Sequence, residues 1–205
     1  MSAIDSRIYL ASRSPRRRDL LAQIGVRFDV LQFRADVRAD VEVDEAVLAS
    51  ESPDDYVVRV ARAKAAFAAR LLESRHLLPR PLLSADTTLD IDGEIIGKPK
   101  SEADAQQILA RLSGRTHRVL TAVAVTDHVH LEHRLNVSEV RFRALDAEEI
   151  RRYVRTGEAT DKAGAYAIQG RAGAFVADIH GSHSGIVGLP LCETVLLLRQ
   201  FGVAV

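Results

Sequence analysis

The hydrophobic and polar positions along the chain follow two different periods. Short apolar or alternating runs, typical of β-strands, cover residues 7–11, 28–31, 82–85, 89–91, 94–96, 119–126, 131–142 and 175–179. Apolar residues at helical spacing, mostly after Ser-Pro, Ser or Asp start signals, predict helices at 15–24, from 53 to at least 67, and at 102–112, 147–156 and 191–201. Because strands and helices interleave, the pattern predicts an α/β protein.

One turn indicates how the predicted sheet is organised. Asp92-Gly93 lies between two short strand-like runs and is the strongest short hairpin signal in the chain. A hairpin makes part of the sheet antiparallel, so we expect a mixed sheet flanked by helices. The 205 residues contain no internal repeat, linker or low-complexity block, and we therefore expect a single domain over residues 1–205.

The composition argues against several classes of function. The 28 basic and 28 acidic residues cancel, whereas a general nucleic-acid or membrane-surface binder carries a basic excess. No apolar run reaches the roughly 18 residues of a membrane span, and the first residues lack the apolar core of a secretion signal. Cys192 is the only cysteine, which excludes an intrachain disulfide and a cysteine zinc cluster. We expect a buried, inert Cys192 thiol and a soluble cytoplasmic protein with neither nucleic acid nor membrane as a partner.

The first candidate site is Ser12-Arg-Ser-Pro-Arg-Arg-Arg18, where a strand gives way to a helix. Free N–H groups and the dipole at a helix start attract anions, and an arginine guanidinium binds two phosphate oxygens at once. The alternative is a capped surface helix with solvated arginines, and the pattern leaves both open.

The second candidate is Asp86, at the predicted end of the apolar strand 82–85. Ligands of α/β proteins collect at strand carboxyl ends, where a carboxylate can hold a metal ion or accept a proton from water. The alternative is that Asp86 only caps a turn. Lys64, Lys98 and Lys162 are candidate phosphate ligands, with solvated surface lysines as the alternative.

Other motifs add little to these two candidates. His128, His130 and His133 lie around a predicted hairpin tip, where ordinary surface residues are favoured over a metal site. The chain has no Walker loop, dinucleotide fingerprint or nucleophile elbow. Composition and spacing therefore indicate an α/β protein with scattered cations that suit phosphates and acidic residues able to hold a cation.

A more specific pattern appears when widely separated segments are taken together. The segments are 10–21 (LASRSPRRRDLL), 51–56 (ESPDDY) with Lys64, 84–87 (SADT), 98–99 (KP), 112–117 (LSGRTH), 161–166 (DKAGAY) with 168–170 (IQG), and 187–190 (VGLP). In this order they resemble the signature blocks of the Maf family of nucleoside triphosphate pyrophosphatases, over about residues 7–201.

This resemblance implies an elongated α/β fold of the Maf and inosine-triphosphatase type, with two lobes around a cleft. It also implies hydrolysis of a nucleoside triphosphate to the monophosphate and pyrophosphate, with a divalent cation, Mg²⁺ or Mn²⁺. By this resemblance Asp86 is the proton acceptor that prepares the attacking water, and Asp86 and Glu45 are the acidic metal residues, with Asp44 as the alternative to Glu45. The implied phosphate ligands are Ser12, Arg16, Arg17, Lys64, Lys98 and Lys162.

Three positions resemble the dTTP/UTP branch of this family. Arg16, Thr87 and Gln169 stand where the 7-methyl-GTP branch tends to have Trp, Gln and Glu. A cationic methylated guanine favours an aromatic platform and a carboxylate. Uracil and thymine instead offer one N–H donor beside carbonyl acceptors, which the amide of Gln169 matches with both of its ends. We therefore expect dTTP and UTP, together with modified pyrimidine triphosphates, as substrates in nucleotide-pool housekeeping.

Other functions stay open beside this one. They are a 7-methyl-GTP pyrophosphatase and a non-enzymatic regulator of septum formation and cell division, the process from which the family takes its name. A nucleic-acid-binding module has less support, because the net charge is zero. A dead scaffold needs neither Asp86 nor Glu45 nor the lysines, so their presence favours the enzyme. The resemblance also favours a homodimer.

Overall fold

The computed structural model describes residues 7–33 and 43–205. The helices in these residues are α1 (Pro15–Gln23), α2 (Pro53–Ser74), α3 (Glu102–Leu112), α4 (Ala147–Val154), α5 (His183–Val187) and α6 (Leu191–Gln200), with 3₁₀ turns at Ala163–Ala165 and Arg171–Phe175. The strands are β1 (Ile8–Leu10), β2 (Phe28–Val30), β3 (Leu82–Ile91), β4 (Glu94–Ile96), β5 (Thr116–Thr126), β6 (Leu131–Phe142) and β7 (Val176–His180). None of the described helices is both long and apolar enough to cross a membrane.

The strands form one mixed sheet, which confirms the predicted α/β class. The order is β2-β1-β3-β5-β6-β7, with β4 paired to β3 outside this path. β1 runs parallel to β2 and β3, and every other pairing is antiparallel. The predicted hairpin is present: Asp92 and Gly93 both have positive φ, as a two-residue I′ turn requires, and they connect β3 to β4.

The helix starts follow the predicted caps, with one exception. The side chains of Ser52, Ser101 and Asp146 each accept a hydrogen bond from the backbone N–H three residues later. Ser14 occupies the N-cap position of α1, but its side chain makes no such bond, and its own N–H donates to Ser12 Oγ at 3.2 Å. The first turn of α1 therefore keeps its backbone N–H groups free of a side-chain cap.

The prediction that a strand ends at Asp86 is wrong. β3 continues from Leu82 to Ile91 and pairs with β5 over its whole length except the last residue, so Asp86 lies in mid-strand. The residues that follow, Thr87 and Thr88, are β-branched and favour extended backbone, which a pattern of apolar residues alone does not register.

The position of Asp86 is nevertheless special, because one edge of β3 has a gap. β1 covers this edge at Leu82 and Leu83, and β4 covers it again from Leu89 onward. Between them, residues 84–88 have a strand neighbour only on the β5 side. The gap leaves Asp86 and Thr87 open to a ligand although both belong to a central strand.

Cys192 also differs from the expectation, because its side chain is exposed rather than buried. In α6 the buried residues are Thr194, Leu197 and Leu198, which share one helix face at spacings of three and four. Cys192 lies two positions before Thr194, so the helical period places it on the opposite face, toward solvent.

A histidine of β5 is buried in the hydrophobic core. His117 is 2% exposed, and its Nε2 lies 2.9 Å from the Tyr166 hydroxyl. Its ring packs edge-to-face against Phe142 and Tyr166. Burial lowers the pKa of His117 to about 4, because a charged imidazolium would lose its hydration there.

We expect His117 to make the fold sensitive to acid. The unfolded imidazole binds a proton below about pH 6.5 and the folded one only below about pH 4, so stability falls as the pH drops through this window. The loss amounts to about 3 kcal/mol of unfolding free energy across the window. Urea unfolding at about pH 7 and about pH 4.5, for the wild type and His117→Gln, measures it. If the variant loses as much stability as the wild type between these two pH values, His117 is not the cause.

Candidate active site

A cleft of about 590 Å³ opens at the gap along β3. Its walls come from the β1–α1 junction, one face of α2 with the loop before it, the loop after β4, and the segments around the first 3₁₀ turn and α5. All ten residues singled out from the sequence line this cleft: Ser12, Arg16, Arg17, Glu45, Lys64, Asp86, Thr87, Lys98, Lys162 and Gln169. The fold therefore brings together side chains that are up to 157 positions apart in the chain, from Ser12 to Gln169.

An ion-pair cluster lies at the centre of the cleft. Lys64 Nζ is 2.7 Å from Asp86 Oδ1 and 2.7 Å from Glu45 Oε1. Asp86 is the more buried acid, with 11% of its side chain exposed against 46% for Glu45. Two carboxylates thus converge on one cation in a partly desolvated place, where each charge acts more strongly than in water.

The packing of α2 on β3 explains why Lys64 meets Asp86. Ser84 and Asp86 share one face of β3, and Ala61 and Lys64 are three residues apart on α2. Ser84 Oγ donates to the Ala61 carbonyl at 2.8 Å, which fixes the register of the helix on the strand. The buried alanines of α2 let the helix approach closely enough for the lysine to reach across.

The structure favours Glu45 over Asp44 as the acid of the cleft. Asp44 Oδ1 accepts a hydrogen bond from the Ala46 N–H at 2.8 Å and stays within its own loop. The Glu45 side chain points to Lys64, and its carbonyl accepts from the Tyr56 hydroxyl at 3.1 Å. Burial, followed by the nearby charges of Asp86 and Glu45, raises the pKa of Tyr56 to about 12, so the phenol keeps its proton and its donor role.

The β1–α1 junction, where the sequence predicts an anion site, forms one wall of the cleft. Ser12 is 6% exposed, and its Oγ accepts from the Ser14 N–H and from Arg17 Nη1 at 3.3 Å. Its two lone pairs are thereby used, and its hydroxyl proton remains for a phosphate oxygen. The first turn of α1 carries no acidic residue, so nothing there competes with an incoming anion for the helix start.

Arg17 connects three walls of the cleft. Its Nε donates to the Gly188 carbonyl at 2.7 Å and its Nη2 to Thr87 Oγ1 at 3.3 Å, in addition to the bond to Ser12. Burial lowers the pKa of Arg17, and the negative charge of Asp86 acts in the opposite direction. With three N–H groups held by the protein, the guanidinium is fixed in position and can offer only its remaining donors to a phosphate.

The far rim carries the other two lysines. Lys98 is exposed beside the cleft, and Lys162 Nζ is paired with Asp161 Oδ1 at 2.7 Å. Their loops are joined by the hydrogen bond from the Gly164 N–H to the Gly97 carbonyl at 3.1 Å. Gly164 has φ +73°, and a Cβ there would lie 2.2 Å from Leu89 Cδ2, so only glycine lets this loop pack against β3.

Some residues of the site escaped the sequence reasoning. Thr121, which bonds to Thr87, carries no sequence signal. Gly188 lies in the block 187–190, but the sequence does not predict that its carbonyl holds Arg17. A threonine inside an apolar strand carries no signal by itself, and only the pairing of β3 with β5 reveals its partner. Of the three histidines around the β5–β6 turn, His133 Nδ1 lies 3.1 Å from Arg62 Nη1 and His128 Nδ1 lies 3.6 Å from Glu73 Oε1. The His128 side chain is only 15% exposed, so it is less accessible than predicted.

Comparison with known proteins identifies the family. The model of the Maf family, described as Maf-like protein, matches residues 7–201. The chain belongs to the Maf family. A Maf relative from Dechloromonas aromatica is 60% identical over 196 residues, covering 96% of this chain and 98% of the relative, and is named dTTP/UTP pyrophosphatase. One from Aromatoleum aromaticum with the same name is 56% identical over 203 residues, covering 98% of each chain.

A third Maf relative bearing that name, from Ralstonia nicotianae, is 57% identical over 194 residues, covering 94% of this chain and 93% of the relative. The solved structure of the Staphylococcus aureus Ham1 protein is similar with a TM-score of 0.49 at 16% identity, covering 95% of this chain and 97% of that one. A similarity with this TM-score and identity supports no conclusion about fold or function.

Proposed function

We propose that this Maf protein hydrolyses dTTP and UTP to the monophosphate and pyrophosphate, with Asp86 as the group that activates water. Maf relatives at 53–60% identity over nearly the whole chain are named for this activity. The observation that carries the proposal is the position of Asp86, a largely buried carboxylate in the gap of β3, in contact with the Lys64 ammonium and open to the cleft.

Asp86 has the chemistry of a general base for this reaction. A carboxylate oxygen accepts a proton from water as the water oxygen forms a bond to the α-phosphorus. The bond from the α-phosphorus to the bridging oxygen then breaks, and pyrophosphate leaves with that oxygen. Lys64 holds Asp86 in place, so the base needs no reorientation when the substrate arrives.

A divalent cation suits the same pair of acids. Asp86 and Glu45 already converge on one positive charge, and oxygen ligands of this kind are those that Mg²⁺ and Mn²⁺ prefer. Residues 7–33 and 43–205 contain no group of three or more candidate metal-binding side chains. We propose that one or two carboxylates hold the cation together with phosphate oxygens. When bound, the cation would offset phosphate charge and help to orient the water.

The cationic side chains on the cleft walls suit a triphosphate in charge. The start of α1 with Ser12 and Arg17 lies on one side of Asp86, and Lys98 with Lys162 lies on the other rim. We assign the phosphate-binding role to these groups together with Arg16 and Lys64. Lysines act as point charges, whereas the fixed fork of Arg17 adds direction.

Base selection is assigned to Arg16, Thr87 and Gln169. Gln169 is exposed at the cleft, where its amide N–H can donate to a carbonyl of uracil or thymine. We expect Gln169→Glu to lower kcat/KM for UTP and dTTP at least tenfold relative to 7-methyl-GTP, because a carboxylate cannot donate to a pyrimidine carbonyl. Competitive assays with these nucleotides measure the ranking. A substrate order identical to that of the wild type would remove Gln169 from base selection.

The proposed activity is tested by pyrophosphate release across a panel of dTTP, UTP, CTP and 7-methyl-GTP, with Mg²⁺, with Mn²⁺ and with a chelator. We expect dTTP and UTP to be hydrolysed best and the chelator to abolish turnover. Preference for 7-methyl-GTP would move the chain to the other branch. Absence of turnover on every nucleotide would favour the cell-division regulator. A cytoplasmic location and a homodimer stay predictions.

A further inference from the structure

The hydroxyl of Thr87 belongs to a hydrogen-bond chain with a defined direction. Thr87 and Thr121 are directly opposed on β3 and β5, and their Oγ1 atoms are 2.9 Å apart. Thr121 Oγ1 donates to the Gly185 carbonyl at 2.8 Å. A threonine hydroxyl has a single proton, and Thr121 donates its proton to this carbonyl. Thr87 is therefore the donor in the bond between the two threonines.

The direction of this chain determines what Thr87 offers to the cleft. Its proton points to Thr121, and one of its lone pairs accepts from Arg17 Nη2 at 3.3 Å. One lone pair is left, and Thr87 is half-buried at the cleft wall. Toward a ligand Thr87 is thus an acceptor and not a donor.

An acceptor at this place excludes some partners and favours others. Phosphate oxygens are acceptors themselves, so Thr87 is not matched to the triphosphate. The donors on a pyrimidine nucleotide are the N3–H of uracil or thymine, the N4 amino group of cytosine and the sugar hydroxyls. At ring position 3, however, only uracil and thymine carry a donor. Cytosine presents an acceptor at N3, which would face the Thr87 lone pair with no proton between them.

We propose that Thr121 is a positioning residue that holds Thr87 as an acceptor for the N3–H of uracil or thymine and so disfavours cytosine. This inference rests on the proposed function and deepens it. Thr121 is 0% exposed, so it acts only through Thr87. The hydrogen-bond chain also leads back to Arg17. Gly185, which accepts from Thr121, lies in the short helix α5, and Gly188, whose carbonyl accepts from Arg17 Nε, follows that helix directly.

The test uses two substitutions that separate the hydroxyl of Thr121 from its shape. Thr121→Val removes the hydroxyl, and Thr121→Ser keeps it. We expect the ratio of kcat/KM for UTP over CTP to fall about tenfold in Thr121→Val, which is the effect of one redirected hydrogen bond. In Thr121→Ser the ratio should stay near that of the wild type.

A double-mutant cycle tests whether Thr121 acts through Thr87. It adds the variant Thr87→Val and the double variant Thr87→Val with Thr121→Val. If Thr121 acts through Thr87, the second substitution adds nothing to the ratio once Thr87 is changed.

Several results would overturn the inference. An unchanged UTP:CTP ratio in Thr121→Val with a lower Tm assigns Thr121 a structural role only. Equal losses on UTP and CTP place the contact on the sugar and not on the base. Should Thr121→Val not fold, N3-methyl-UTP gives the answer: its penalty relative to UTP must shrink in Thr87→Val. If the wild type hydrolyses neither UTP nor dTTP, the proposed function itself fails, which is a different outcome.

Discussion

Asp86→Asn is expected to lower kcat by roughly 10²-fold or more while the protein stays folded, because an amide cannot take the proton of the attacking water. The substitution keeps the shape of the side chain and an oxygen for Lys64, which also retains Glu45 as an ionic partner. Steady-state kinetics with UTP, together with a thermal unfolding curve, provide the measurement.

The chain offers a matched control for this substitution. Asp90 lies on the same face of β3, four residues further on, and is equally buried, with 6% of its side chain exposed. It is bound to Arg118 Nη1 at 2.9 Å and does not line the cleft. Asp90→Asn should lower the free energy of unfolding and leave kcat near the wild-type value. Equal kcat losses in the two variants would mean that any buried carboxylate of β3 matters and that Asp86 is not the base.

Lys64→Met is the second substitution with a large expected effect. It leaves Asp86 and Glu45 without their shared cation and removes a point charge from the phosphates. We expect kcat/KM to fall about 100-fold, or ~2.7 kcal/mol, within the range found when one member of a hydrogen-bonded charge pair is removed. The stem of methionine is close to that of lysine, so packing against α2 is largely kept.

Lys100→Met is the control for the loss of a lysine as such, because Lys100 is exposed and lies outside the cleft. It should leave kcat/KM near the wild-type value. A Lys64→Met enzyme that matched Lys100→Met in activity would show that the ion-pair cluster is not part of the machinery.

Much of the fold could be predicted from local sequence, because the signals concerned are local. Ser52-Pro53, Ser101 and Asp146 start helices where capping rules place them, and Asp92-Gly93 makes the predicted hairpin. Where prediction was wrong, a wider context decided the outcome. β3 continues through Asp86 because β5 pairs with nine of its ten residues. Cys192 is exposed because the other face of α6 packs inward.

The candidate site, like the fold, depends partly on local sequence and partly on tertiary context. Ser12, Lys64 and Asp86 are candidates from their local sequence, and the resemblance to a family adds their specific roles. Their convergence in one cleft depends on the gap between β1 and β4, which no single block reveals. Thr121 could not be found in this way, because its contribution depends on strand register and on the direction of hydroxyl protons.

The most direct test of the mechanism is UTP hydrolysis in water labelled with heavy oxygen, followed by mass analysis of both products. Asp86 is placed to activate water for attack at the α-phosphorus, so UMP should carry one labelled oxygen per turnover and pyrophosphate none. Label in pyrophosphate, or release of orthophosphate with UDP, would contradict the account.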